Sequence, residues 1–198
     1  MRPRKISDED ILDMARECLL EQGVNVSTQV IAKRLGVSQA TLFKRFGTKV
    51  KLLQMALWIP LRAKRFLKLL EAEPTEEPIL DQLQTLCIHM LQFFDEMIPC
   101  WSVLHAAGIN PKATSEKSPP IRARLGLTNW IRKLQERERI RQDVEPEAIA
   151  LALIGAMQHR PLRRHILQDE AMTNTDMEYI NSIVEVLWQG LCPQKSKS

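Results

Sequence analysis

The stretch that decides the fold is residues 28–53, TQVIAKRLGVSQATLFKRFGTKVKLL. Its spacing predicts two short helices that cross at a tight turn. Ala32 is small enough to let the second helix approach the first, and Gly36 supplies the positive φ that reverses the chain. Leu42, ten residues after Ala32, would then be buried against the first helix. This pattern is typical of a helix-turn-helix.

The charge of the surrounding region is equally informative. Between Gln22 and Leu70 the chain has no Asp and no Glu. A carboxylate would repel phosphate and oppose counterion release, so a basic surface without acids indicates a polyanion-binding face. An ordinary helical hairpin with Gly in its loop would not explain the missing carboxylates. The ten basic residues in this window are Lys33, Arg34, Lys44, Arg45, Lys49, Lys51, Arg62, Lys64, Arg65 and Lys68.

Apolar periodicity and capping residues predict an all-α chain with no sheet. Pro60 should kink or split the fourth helix near Trp58, and Pro99 should break the fifth. Polar stretches at 73–78 and 110–120 separate helices. Ser7, Ser27 or Thr28, and Ser38 are the expected amino-terminal caps. The predicted helices are 8–22, 28–35, 39–46, 48–70, 78–98, 100–107, 121–142, 146–168 and 175–191.

If the second helix of the motif enters the major groove amino end first, its exposed side chains meet bases and phosphates. Gln39 can bond an adenine edge, and Ala40 can touch a thymine methyl. Phosphate contacts would fix the register. The predicted base contacts are Gln29, Gln39, Ala40 and Arg45, and the predicted phosphate contacts are Thr28, Thr41, Lys44, Thr48 and Lys49.

Residues 8–57 resemble the tetracycline-repressor (TetR/AcrR) family of transcriptional regulators. Ala40 stands where Gly or Pro is frequent in that family, and Phe43 stands where Tyr is commoner. The Tyr position implies a phosphate contact, so Phe43 joins the predicted phosphate contacts although it lacks the hydroxyl. The matching residues are Ile31-Ala32, Gly36-Val37-Ser38, Thr41-Leu42-Phe43, Phe46, and Lys49 followed by Leu52-Leu53.

The resemblance implies a three-helix DNA-binding domain, residues 1–50, and a larger helical domain, residues 51–198. The second domain would dimerise and hold a small, mostly apolar effector that releases a repressor from a palindromic operator. Helix 48–70 would be the connector. Helices near 146–168 and 175–191 would form the homodimer interface, and a two-fold dimer suits two half-sites on DNA.

Met and aromatic residues in the second domain are typical of an apolar cavity, although they are also typical of an ordinary core. His and Cys lack metal-ligand spacing and no catalytic motif is found, so we expect no metal, no cofactor and no enzyme activity. Four scattered Cys without an export signal or membrane span predict free thiols, a cytoplasmic protein and no membrane contact. The candidate pocket residues are Met90, Phe93, Phe94, Met97, Trp101, His105, Trp130 and Met157.

Two alternatives remain open at this point. An activator or a chromosome-organising protein of the same fold, without an effector, would show the same motif. An enzyme that carries a helix-turn-helix only as a structural module would need a polar catalytic cluster within residues 76–191, and the sequence shows none there.

Overall fold

A computed structural model describes residues 6–58, 61–109 and 118–191 of the chain. Within these ranges the protein forms nine α-helices and no strand, which confirms the all-α prediction. A π-helical turn at Arg163–Leu167 continues the eighth helix. The helices are α1 Asp8–Gln22, α2 Thr28–Leu35, α3 Gln39–Phe46, α4 Lys49–Trp58, α5 Leu61–Leu69, α6 Ile79–Ala106, α7 Pro119–Glu136, α8 Pro146–Leu162 and α9 Asp176–Leu191.

The chain divides into two compact units. The first comprises residues 1–60 and 97–111, and the second comprises residues 61–96 and 112–198. α6 therefore contributes to both. The division into a DNA-binding domain at 1–50 and an effector domain at 51–198 is a functional one and stays a prediction.

A single apolar core holds the first unit together. α1 to α4 each contribute buried side chains to it, and the last turns of α6 add Cys100 and Leu104. Removing these side chains from water is the main favourable term in folding a unit of this kind. The fully or nearly fully buried members include Ile11, Ala15, Leu19, Ile31, Ala32, Leu42, Phe46, Leu52, Ala56 and Leu57.

Serine caps each of the first three helices. The Oγ of Ser7, Ser27 and Ser38 accepts the backbone N–H three residues later in every case. The Asp10 carboxylate also accepts the Ser7 N–H at 2.8 Å, which completes a capping box. The expected caps at Ser7 and Ser38 are thus confirmed, and Ser27 rather than Thr28 caps α2.

A side chain of α1 bonds a backbone carbonyl near the end of the described part of α4. The described parts of α4 and α5 end at Trp58 and begin at Leu61, and the predicted split near Pro60 falls outside the described residues, so it stays a prediction. In a continuous helix the residue at position 60 would donate to the Ala56 carbonyl, but proline has no N–H. Arg16 of α1 donates its Nε to that carbonyl at 2.8 Å instead. This hydrogen bond joins α1 to the last turn of α4.

The predicted break at Pro99 is wrong, because α6 runs through this proline to Ala106. The neighbouring residues Met97, Ile98 and Cys100 are at most 4% exposed. Burial of side chains on both sides of Pro99 outweighs the loss of one backbone hydrogen bond, since tertiary packing routinely overrides local propensity.

One further helix is shorter than predicted. The helix predicted over 121–142 ends at Glu136, whereas the one over 146–168 agrees with α8 and the π-helical turn that continues it to Leu167. Glu138 has a φ of +55°, which no right-handed helix contains. The Gln135 side chain donates to the carbonyls of Arg141 and Val144 at 2.9 and 2.8 Å, so side-chain bonds stabilise the turn in place of a helix.

Three of the four cysteines are described, and all three are buried free thiols, as predicted. Burial raises the pKa of the Cys87 thiol to about 12, so this side chain behaves as a small apolar group. Cys192 lies outside the described residues. In the described part of the chain, no helix has both the length and the apolar character needed to cross a bilayer.

Arg16→Met should lower the free energy of unfolding by about 1–2 kcal/mol, because the buried Ala56 carbonyl loses its donor. Asp13→Asn is the control, because it removes the ion pair of Arg16 with Asp13 and leaves the bond to the Ala56 carbonyl in place. Urea denaturation of the three proteins measures the difference. A wild-type free energy of unfolding for Arg16→Met would contradict the role assigned to Arg16.

Candidate DNA interface

α2 and α3 adopt the geometry of a helix-turn-helix within the first unit. Gly36 ends α2 with φ +68° and ψ +28°, the left-handed conformation that favours glycine. The Val37 N–H then bonds the Ala32 carbonyl at 3.0 Å. Ala32 and Leu42 are 3% and 1% exposed, so the small residue and the apolar residue are buried as the sequence predicts.

Residues 11–56 match the sequence model of the bacterial regulatory proteins of the tetR family. The chain therefore carries the amino-terminal DNA-binding segment of tetR-type transcriptional regulators, as the spacing of its motif predicts.

Solved structures share the fold over almost the whole chain. One is SmeT, the repressor of the Stenotrophomonas maltophilia multidrug efflux pump SmeDEF, with a TM-score of 0.69 and 16% identity over 96% of this chain and 92% of that chain. A TetR-family regulator from Mesorhizobium loti has a TM-score of 0.68 and 17% identity over 94% and 96% of the two chains. Salmonella enterica GusR has a TM-score of 0.67 and 19% identity over 92% and 93%. At these identities the likeness shows the fold alone. No curated protein sequence matches this chain significantly.

Two arginines of the acid-free stretch are compensated by carboxylates of α1. Arg34 lies 2.6 Å from Glu21, and this hydrogen bond lowers the pKa of the Glu21 carboxyl. The Arg45 guanidinium lies 3.3 Å from Asp8 and donates to the Ile6 carbonyl at 2.8 Å. Without DNA, Arg45 is therefore engaged at the amino end of α1, and its base contact stays a prediction.

The lysines at the end of α3 and the start of α4 keep their charge. Lys44 is exposed and Lys49 is partly exposed, and no carboxylate of the described ranges pairs with either. An ammonium group that is not neutralised retains its full attraction for phosphate. Among the predicted phosphate contacts, Lys44 and Lys49 are thus the two lysines whose charge no described carboxylate neutralises.

The predicted base contact Gln39 and the predicted phosphate contact Thr28 touch one another. The Gln39 Nε2 donates to the Thr28 Oγ1 at 2.6 Å. Thr28 is only 5% exposed, whereas Gln39 and the neighbouring Gln29 are exposed. A sequence pattern could not have paired residues eleven positions apart, because neither carries a signal for the other.

The remaining predicted contacts differ in what they can offer DNA. Ala40 and Phe43 are exposed on α3, and Phe43 has no donor, so its ring provides only apolar contact. The Thr41 hydroxyl is 2.9 Å from the capping hydroxyl of Ser38. The Thr48 hydroxyl accepts the N–H three residues later at 3.2 Å, at the start of α4.

The eight candidate pocket residues do not all belong to one unit. Five of them lie in the second unit and are at most 4% exposed: Met90, Phe93, Phe94, Trp130 and Met157. The Phe93 ring packs edge-on against Phe94 and tilted against Phe66, with centroids 4.9 and 5.3 Å apart. In the first unit, Met97 is buried, Trp101 is half-buried and His105 is exposed. The effector pocket stays a prediction.

Gly36→Ala should lower the free energy of unfolding by about 1 kcal/mol through backbone strain alone. A Cβ at this position would meet no atom within 4 Å, so no clash adds to the strain. Gly36→Asn should lower the free energy of unfolding by less, because Asn tolerates the left-handed region better than Ala. Urea denaturation measures both variants. Unchanged stability of Gly36→Ala would contradict the left-handed turn.

Proposed function

We propose that this TetR-family regulator is a cytoplasmic, ligand-responsive repressor that binds a palindromic operator as a homodimer. The observation that carries the proposal is the exposed edge formed by α3 and the start of α4. It presents an amide at Gln39 and uncompensated ammonium groups at Lys44 and Lys49, with no carboxylate in the chain from residue 23 to residue 69. Base edges are read by amides and phosphates are bound by cations, so this edge suits a duplex.

Side chains at the amino ends of α3 and α2 would contact the bases. Gln39 would read an adenine edge, and Ala40 would touch a thymine methyl. Gln29 would reach a second base from the start of α2. Arg45 would reach a base only after it leaves the Ile6 carbonyl, which implies a rearrangement at the amino end of α1.

The register on the duplex would come from the phosphate contacts. Lys44 and Lys49 supply charge, and the hydroxyls of Thr41 and Thr48 supply donors. Phe43, 40% exposed, would add apolar contact beside the backbone.

Homodimer formation is supported by an apolar face on α8 and α9. Leu151 is 49% exposed and Val186 is 69% exposed, and a groove of about 340 Å³ lies between the two helices. A Cβ at Gly155 or Gly190 would meet no atom within 4 Å, so a partner helix can approach closely. Contiguous exposed apolar surface marks interaction sites, and a two-fold dimer buries the same patch on both copies.

Val186→Lys should convert the dimer to a monomer. The isologous interface loses one buried valine from each copy, together about 3 kcal/mol or roughly 100-fold in dissociation constant. Sedimentation equilibrium measures the change. Leu125→Lys is the matched control, since Leu125 is 45% exposed on α7. Unaltered self-association of Val186→Lys, or equal dissociation of both variants, would remove this face from the interface.

A small apolar effector would act through the second unit. Met90, Phe93, Phe94, Trp130 and Met157 supply adaptable Met and aromatic surface there. Methionine fills irregular space and repacks around ligands more readily than branched side chains. An effector would release DNA only if it binds the DNA-free conformation more tightly than the DNA-bound one.

Gln39→Ala and Lys49→Ala should have opposite signatures. Gln39→Ala should lose about 1–3 kcal/mol of discrimination at one base pair and keep its affinity for unrelated DNA. Lys49→Ala should weaken binding to all duplexes and reduce the slope of log affinity against log salt by about 0.9. Fluorescence anisotropy across a salt series separates the two. The groove assignment fails if Gln39→Ala retains full discrimination.

The proposed function is tested by selection of duplexes from a randomised library with the purified chain. The expected product is an inverted repeat whose half-sites are about one helical turn apart, or a multiple of it. Strong binding without any enriched sequence would favour the chromosome-organising alternative. A chain that retains no duplex at low salt would refute the proposal.

A further inference from the structure

A side-chain hydrogen bond joins the first residue of α2 to the first residue of α3. The Gln39 Nε2 donates to the Thr28 Oγ1 across 2.6 Å. Thr28 is 5% exposed and begins a helix whose Ile31 and Ala32 are buried in the core. The acceptor is therefore fixed, while the donor belongs to a long, exposed side chain. The bond holds the end of that side chain in one place.

The hydrogen bond leaves free the part of the amide that matches a base. A Gln amide has two N–H groups and one carbonyl oxygen, and Thr28 takes a single N–H. The second N–H and the Oε1 remain, and adenine presents an acceptor at N7 and a donor at N6 in the major groove. In the structure the NH₂ side of the amide faces Thr28, which leaves the carbonyl oxygen directed away from it.

We propose that Thr28 is a positioning residue that sets the operator specificity of Gln39 and does not itself contact phosphate. The inference rests on the proposed function, since Gln39 must meet a base. Its physical basis is preorganisation: a Gln side chain has large rotamer entropy, and here much of it is lost before DNA arrives. Specificity at one base pair, and not general affinity for DNA, should then depend on Thr28.

Gln29 provides an internal comparison beside Thr28. It is exposed, and none of the described residues hydrogen-bonds its side chain. DNA would have to immobilise Gln29 without help from Thr28. Substitutions at Thr28 should therefore be coupled to substitutions at Gln39 and additive with substitutions at Gln29.

The experiment compares the wild type with Thr28→Val, Thr28→Ser, Gln39→Ala and Gln29→Ala. It also includes two double variants, which combine Thr28→Val with Gln39→Ala or with Gln29→Ala. Valine keeps the shape of threonine but removes the acceptor, whereas serine keeps the acceptor. The probes are a consensus duplex selected by the wild type and the same duplex with the Gln39-dependent A·T pair changed to G·C. Anisotropy gives the affinity ratio for each protein.

Thr28→Val should reduce that ratio about three- to tenfold, the range of one net hydrogen bond. Its affinity for an unrelated duplex should stay within about twofold. Thr28→Ser should keep the wild-type ratio. The double variant should discriminate no worse than Gln39→Ala alone, whereas Thr28→Val and Gln29→Ala should combine additively.

Three results of the DNA-binding experiment would overturn the inference. If Thr28→Val keeps the wild-type affinity ratio, the role of Thr28 is wrong. The proposed function would still stand in that case, because the wild type would still have selected an operator. Equal weakening on all duplexes with a flatter salt dependence would make Thr28 a phosphate contact. A wild type without any sequence preference would remove the proposed function and the inference together.

Side-chain amide NMR tests the hydrogen bond without DNA. The Gln39 NH₂ resonances of the wild type and Thr28→Ser should show one proton that is shifted and exchanges slowly with water. Thr28→Val, or Thr28→Ala if the valine variant does not fold, should give solvent-like resonances. Identical Gln39 resonances in all folded variants would overturn the inference.

Discussion

The left-handed turn at Gly36 is the constraint on which the DNA-binding unit depends. It reverses the chain within three residues, so that Ala32 and Leu42 can both be buried between α2 and α3. The turn places Ser38 where it caps α3, and the cap fixes the first residue of that helix. The position of Gln39 on the exposed edge follows from this chain of local causes.

The second constraint is the positive charge of the surface, and the structure shows which of its basic residues are paired with carboxylates. The sequence contains ten basic residues in a window without acids, yet α1 supplies carboxylates to Arg34 and Arg45. Lys44 and Lys49 have no such compensation within the described residues. The electrostatic attraction for a duplex is thus concentrated at the end of α3 and the start of α4, and is smaller than a count of charges suggests.

Local signals explain how much the sequence could predict. The bounds of α1, α2 and α3 match because serine caps and terminal glycines act over three or four residues. The helix break predicted at Pro99 was wrong, because the packing of Met97, Ile98 and Cys100 is a tertiary effect. A rule based on local sequence does not include such packing. The sequence also could not predict two hydrogen bonds, the one from Arg16 to the Ala56 carbonyl and the one from Gln39 to Thr28. Each of them joins two different helices.

Spectral mapping by ¹⁵N NMR tests the central claim most directly, that the exposed edge of the helix-turn-helix is the surface that meets DNA. A titration of the labelled chain with a duplex at low salt reports every backbone amide. The largest chemical-shift changes should fall within residues 28–49, and they should become smaller as salt is added. Shifts confined to the second unit, or no shifts at any duplex concentration, would contradict it.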